Sequence, residues 1–226
     1  MRILAIDTAL EACSVVLVDG GEVVARESQT MARGHAEALM PMLARLREQT
    51  ALDFATLDRI AVTVGPGSFT GLRVGISAAR GIGLAAAKPV VGITSLEAFA
   101  APLIAADPDT PVAAVIDARH DHVYLQAFGA DGETAVSARV IPIAEALRLV
   151  APLTGVRLIG NAANILAAAW PTSEAFPSAV EQQPAPQIEW VARLGALADA
   201  AAAPPKPLYL RAPDAQPQAA ARLARP

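Results

Sequence analysis

Val64-Gly65-Pro66-Gly67-Ser68-Phe69-Thr70-Gly71-Leu72-Arg73-Val74-Gly75 reads as the junction of a strand, a turn and a helix. Arg59-Ile60-Ala61-Val62-Thr63-Val64 leads into it and is short, β-branched and apolar, the pattern of a buried strand. Residues 71–87 contain no proline and are rich in alanine, so a helix is expected there. Gly65-Pro66-Gly67 breaks the two apart, and Ser68 or Thr70 is the expected N-cap. Strand, glycine-rich turn and helix N-terminus together form an anion-binding design. No Gly-Lys-Ser/Thr follows, so the loop is not a P-loop, and its glycines do not match the dinucleotide fingerprint.

Gly71, Gly75, Ala79, Gly83 and Ala87 recur every fourth residue along the expected helix. That spacing places them on one face. Glycine in mid-helix costs about 1 kcal/mol relative to alanine, so close packing against the backbone must offset it. The neighbour is either the chain's own sheet or a helix of another subunit.

The chain has 226 residues, 54% hydrophobic but only 4% aromatic, so its core is built from Ala, Val, Leu and Ile. A formal net charge of −4 argues against a surface that binds nucleic acid all round. The single cysteine, Cys13, sits in an apolar run, allows no internal disulfide and fits a reducing compartment. The N-terminus reaches Asp7 after four apolar positions, too few for a signal peptide, and no stretch is long enough for a membrane span. A cytoplasmic location is expected.

Residues 3–6 read as a strand ending at Asp7-Thr8, and residues 14–18 and 22–28 as a hairpin turning at Asp19-Gly20-Gly21. Residues 35–49 read as a helix with Leu39, Met42, Leu43 and Leu46 on its apolar face and Pro41 inside it. After the glycine helix come a strand at 89–93 and a helix at 95–105 capped by Ser95. A similar order restarts at Pro111. Strands are expected at 112–116, 123–128 and 134–141, a helix at 143–150, a strand at 156–159 and a helix through residue 169. Four prolines in 171–187 predict an irregular segment, and 188–203 reads as a last helix.

Two βββαβα units, each opening with a strand that ends in aspartate, predict an α/β fold of duplicated actin-like or ribonuclease-H-like lobes (ASKHA type). The second lobe is partly degenerate. Residues 1–106 form the first lobe, 107–210 the second and 211–226 a flexible tail. Such a fold binds nucleotide between its lobes, which makes Asp7, Thr8, Gly65, Gly67, Ser68 and Asp117 candidates for a degenerate nucleotide site. Thr8-Ala9 and Ala118-Arg119 stand where glycines would let backbone amides approach phosphates. Two turn-capping aspartates are the other reading.

Ile6-Asp7-Thr8, Gly65 to Arg73, Pro89 with Ser95-Leu96-Glu97, and Ile116-Asp117-Ala118-Arg119 together resemble the TsaB (YeaZ) family. Pro207-Leu208-Tyr209-Leu210-Arg211 resembles that family's closing motif. The resemblance is specific over residues 1–124 and weaker beyond. It implies a dimerisation subunit of the bacterial machinery that transfers a threonylcarbamoyl group to the adenosine beside the anticodon of certain tRNAs. The implied partners are the catalytic paralogue TsaD and the ATPase TsaE, with tRNA met only through the complex and a homodimer when the chain is alone. The implied interface joins Leu39, Met42, Leu43 and Leu46 to Gly71, Arg73, Gly75, Ile76, Ala79, Arg80 and Gly83.

In the catalytic paralogue the segment after the glycine helix looks like Asn-His-x-Glu-Gly-His and holds a metal. Here it reads Thr94-Ser95-Leu96-Glu97-Ala98-Phe99, with no ligand at either histidine position. His35 stands alone, and His120 and His122 lack a third ligand. No metal site, catalytic residue or resident cofactor is therefore expected, although nucleotide at a subunit junction stays open. Two enzyme readings remain as alternatives. One is a small-molecule kinase or ATPase using Asp7, Asp117 and the glycine loop. The other is a metallopeptidase, which the missing His-x-x-x-His argues against.

Overall fold

The computed structural model describes residues 1–211, so the expected tail lies, beyond Arg211, outside the described residues. Strand β1 (Arg2–Asp7), β2 (Ala12–Asp19) and β3 (Glu22–Thr30) form an antiparallel meander. Helix α1 (His35–Thr50), β4 (Arg59–Gly65), α2 (Phe69–Ala86), β5 (Val90–Thr94) and α3 (Ser95–Ala106) follow. β4 and β5 extend the sheet in parallel, giving the order β3-β2-β1-β4-β5.

The second half repeats this plan. It contains β6 (Val112–Arg119), β7 (His122–Phe128), β8 (Thr134–Pro142) and α4 (Ile143–Val150). Then come β9 (Arg157–Gly160), α5 (Ala163–Ala168), β10 (Ala179–Gln182) and α6 (Ile188–Leu197). Read from the edge hairpin, its order β8-β7-β6-β9-β10 is that of the first sheet. The central strands β1 and β6 are buried on both faces, which is why they read as continuous apolar runs. Alternate residues of β1 face different helices. Leu4 and Ile6 pack with α1 and α2, while Ile3 and Ala5 pack with α6. No helix among the described residues is long and apolar enough to cross a membrane.

Four expectations are corrected. Strand β10 forms inside the proline-rich segment, because its backbone pairs in parallel with β9 regardless of side chain. Helix α3 is capped by Thr94, not Ser95: the Thr94 hydroxyl accepts from Glu97 N at 3.1 Å and the Glu97 carboxylate accepts from Thr94 N at 3.4 Å. Strand β6 runs two residues past Asp117. Helix α6, expected within the second lobe, packs on the first sheet against β1, β4 and β2.

The largest correction concerns α1 and α2. Leu39, Met42, Leu43 and Leu46 are at most 2% exposed and pack against β1, β2 and α2 of the same chain. Gly71, Gly75, Ile76, Ala79 and Gly83 are buried as well. A Cβ on Gly71 would land on the Thr8 carbonyl oxygen, one on Gly75 would sit 2.5 Å from Thr8 Oγ1, and one on Gly83 would meet Val90. The small stripe is therefore cut to fit the chain's own first lobe. Of the expected interface, Arg73 and Arg80 face solvent.

Candidate functional site

The C-terminal ends of β1, β4, β6 and β9 open onto one cleft of about 480 Å³ between the lobes. Its walls include Ala9, Leu10, Gly67 and Ser68 from the first lobe and Asp117, Arg119, Tyr124 and Asn161 from the second. Open α/β sheets bind ligands at such strand ends. Two of the sequence candidates, Gly67 and Ser68, and Asp117 opposite them, are thus brought together. Asp7, Thr8 and Gly65 lie behind the wall.

Asp7 ends β1 fully buried. One of its oxygens accepts from Ala9 N at 2.9 Å and Thr63 Oγ1 at 2.5 Å; the other has no hydrogen-bond partner. Burial pushes its pKa above the ordinary 3.8, against the hydrogen bonds from Thr63 and Ala9 and the nearby His35. The folded chain therefore holds this proton more tightly than the unfolded chain. Stability attributable to Asp7 is full below pH 3.8 and is lost as pH rises through the folded pKa. Asp7→Asn keeps an acceptor for Thr63 and Ala9 without the charge. Its melting temperature relative to the parent should rise as pH is raised from 4 towards neutrality. A difference that is flat with pH would show that Asp7 is ionised at no cost in the folded chain.

Thr8 Oγ1 donates to the Gly71 carbonyl at 2.7 Å, tying β1 to the first turn of α2. Ser68 caps α2, accepting from Gly71 N at 3.3 Å, and its own N donates to the Ala9 carbonyl at 2.7 Å. Gly67 leaves room for that carbonyl, which its Cβ would strike. On the other side, Asp117 accepts from Arg119 N at 2.7 Å, and Asn161 Oδ1 accepts from Asp117 N at 2.8 Å. Both aspartates thus act as turn caps. The amides of Ala9, Ser68, Gly71, Asp117 and Arg119 are all used inside the chain, and the two first-lobe loops touch. These residues do not fit a triphosphate cradled by backbone amides.

The histidines are dispersed. His35 is nearly buried, and its Nε2 donates to the Leu10 carbonyl at 2.9 Å. His122 Nδ1 donates to the His120 carbonyl at 2.6 Å. Among the described residues no three or more His, Cys, Asp or Glu side chains group closely enough to hold a metal ion. Ser95 and Phe99 are both buried; Phe99 packs with Leu96, Ile116, Phe128 and Ile159 between α3 and the second sheet. Sequence reasoning missed Thr63, which holds Asp7, and the part played by Asn161. The second carried a signal, a polar residue just after a strand-ending glycine.

An exposed cluster borders the cleft on α2. Phe69 and Tyr209 stack with centroids 5.5 Å apart. The Arg73 guanidinium lies 3.7 Å over Phe69, and its Nε donates to Tyr209 OH at 3.2 Å.

Two lobes of identical strand order, with their strand ends facing a common cleft, define an actin-like protein. A ROK hexokinase from Thermus thermophilus shares this fold, with a TM-score of 0.50, 12% identity, and coverage of 87% of this chain and 99% of that one. Residues 22–204 match the family model described as TsaD, tRNA N6-adenosine threonylcarbamoyltransferase. The chain belongs to this family, within its TsaB (YeaZ) group. The structure of YeaZ from Pseudomonas aeruginosa superposes with a TM-score of 0.77 at 29% identity, covering 92% of this chain and 99% of that one. The tRNA threonylcarbamoyladenosine biosynthesis protein TsaB of Escherichia coli is 39% identical over 58% of this chain and 56% of its own length. The chain thus matches about half the length of that curated relative, and 52% of its Haemophilus influenzae counterpart. An uncharacterised Mycobacterium bovis protein is 38% identical over 96% of this chain and 95% of its own.

Proposed function

We propose that this chain is a non-catalytic, cytoplasmic subunit of tRNA threonylcarbamoyladenosine synthesis. It pairs with a TsaD-type catalytic subunit, supports recruitment of TsaE and meets tRNA through that assembly. The relatives named TsaB support the pathway. The observation that carries the non-catalytic part is the state of the cleft: the amides of Ala9, Ser68, Asp117 and Arg119 in its loops are hydrogen-bonded within the chain, and Phe99 is packed into the apolar core where the paralogue places a metal ligand.

The pairing surface proposed is the outer face of α1 and α2, since the inner faces are occupied. Met40 is 58% exposed and Leu84 87% exposed, large apolar side chains that solvent does not favour. Arg73 and Arg80 lie along the same helix. Met40→Glu with Leu84→Glu should weaken both self-association and TsaD binding at least tenfold, about the scale of losing an apolar anchor. Light scattering of the purified chain, alone and mixed with TsaD from the same organism, reads this. An unchanged melting temperature with full complex formation would show that the partner docks elsewhere.

A further inference from the structure

The closing motif Pro207-Leu208-Tyr209-Leu210-Arg211 has no part in the function proposed above, yet it is tied down along its length. Residues 203–211 run as an irregular strap from the first lobe to the second. Gly92 N donates to the Ala203 carbonyl at 2.9 Å, and Leu208 N donates to the Val64 carbonyl at 2.7 Å. The strap thereby lies along the free edge of β5 and meets the end of β4. Room has been left for it. A Cβ on Gly92 would sit 2.8 Å from the Pro204 carbonyl oxygen, and one on Gly65 would sit 3.0 Å from that of Leu208.

The side chains then divide between the lobes. Leu208 packs on the core under α1 and α2. Two residues on, Leu210 packs on the cluster between α3 and the second sheet. Tyr209 stacks on Phe69 of α2. Arg211 lines the cleft, and its Nη1 donates to the Ala118 carbonyl of β6 at 2.9 Å. Alternate leucines thus grip opposite lobes, with an arginine closing the far end.

We propose that residues 203–211 are an inter-lobe latch that sets the opening of the cleft, with Leu210 and Arg211 as its catch on the second lobe. Helix α3 also packs against both halves, touching β4 and β5 on one side and β6 and β9 on the other. The rival account is that α3 alone fixes the lobe angle. The latch differs from it in being separable: it is held by a few side chains at one end of an irregular segment, the kind of element that opens locally.

The test uses the full chain with nitroxides at Glu37→Cys on α1 and Thr134→Cys on β8, both exposed positions. Cys13 is buried, and burial, with Asp7 and Glu27 nearby, pushes its thiol up to about 11, so it stays unlabelled. Pulsed electron resonance gives the inter-lobe distance distribution, and hydrogen exchange follows the amides of Leu208 and Gly92. Leu210→Ala/Arg211→Met, and the milder Arg211→Met alone, should broaden the distribution. Exchange at Leu208 should quicken about tenfold, the scale of losing one hydrogen bond's worth of local stability. Fast exchange with an unchanged distribution would assign the lobe angle to α3 and overturn the latch. Unchanged exchange in both variants would overturn the assignment of Leu210 and Arg211 as its catch.

Discussion

Gly71→Val is expected to lower the melting temperature by about 6–12 °C, while Gly81→Ala raises it. The first places a branched side chain on the Thr8 carbonyl, and because the clash is between its Cβ and backbone no rotamer change relieves it. Overpacking of this kind costs about 3 kcal/mol or more, and each kcal/mol is worth about 2–4 °C in a chain of this size. Gly81 sits on the same helix with an ordinary helical backbone, and a Cβ added there would meet nothing within 4 Å. There alanine should contribute about 1 kcal/mol through helix propensity alone. The pair separates two meanings of a glycine in a helix. If the stripe served a partner subunit, Gly71→Val would leave the melting temperature of the isolated chain unchanged and impair only association.

Arg157→Met should lower the melting temperature by a similar amount. Arg157 begins β9 and is 8% exposed. Its guanidinium donates to the carbonyls of Leu103 at 3.0 Å, Asp107 at 2.6 Å and Thr110 at 2.7 Å, where α3 ends and the chain enters the second lobe. Methionine keeps most of the apolar stem but no donor. The carbonyls left without partners cost about 3 kcal/mol together. Arg45→Met is the comparison. Arg45 pairs with Glu27 on the surface, where solvent screens the interaction, and its loss should not move the transition measurably. Equal effects of the two substitutions would mean that the Arg157 bonds are replaced by water in the folded chain.

Thr63 is not marked out in the chain by its neighbours, and Arg157 is marked out only as an oddity whose partners are not evident. Arg157 lies between Val156 and Leu158 in an otherwise apolar strand, which hints that it is held by something, but its acceptors come from about fifty residues away. Asp7 is legible as a strand end. Its partner Thr63 is not, because the parallel pairing of β1 with β4 sets that contact. Asp117 fits either a phosphate-site candidate or a turn cap in sequence, and the hydrogen bonds from Arg119 N and from its own N to Asn161 realise the second. β10 is invisible in the sequence because its pairing with β9 uses backbone groups, which every residue except proline carries alike.

The sequence by itself determined most of the duplicated strand and helix order, the hairpin turns, and which residues share a helix face. These are local matters: period 2 or 3.6, glycine at a turn. Only the tertiary structure decided what covers each face. Leu39, Met42, Leu43 and Leu46 have the same spacing whether they meet a sheet or a partner helix, and so do Gly71, Gly75 and Gly83. Thr8 lies against Gly71 and Gly75, and Leu4, Ile6, Val15 and Leu17 fill the space beneath α1 and α2. Periodicity records that a face is buried. The identity of its neighbour is a property of packing between segments distant in the chain.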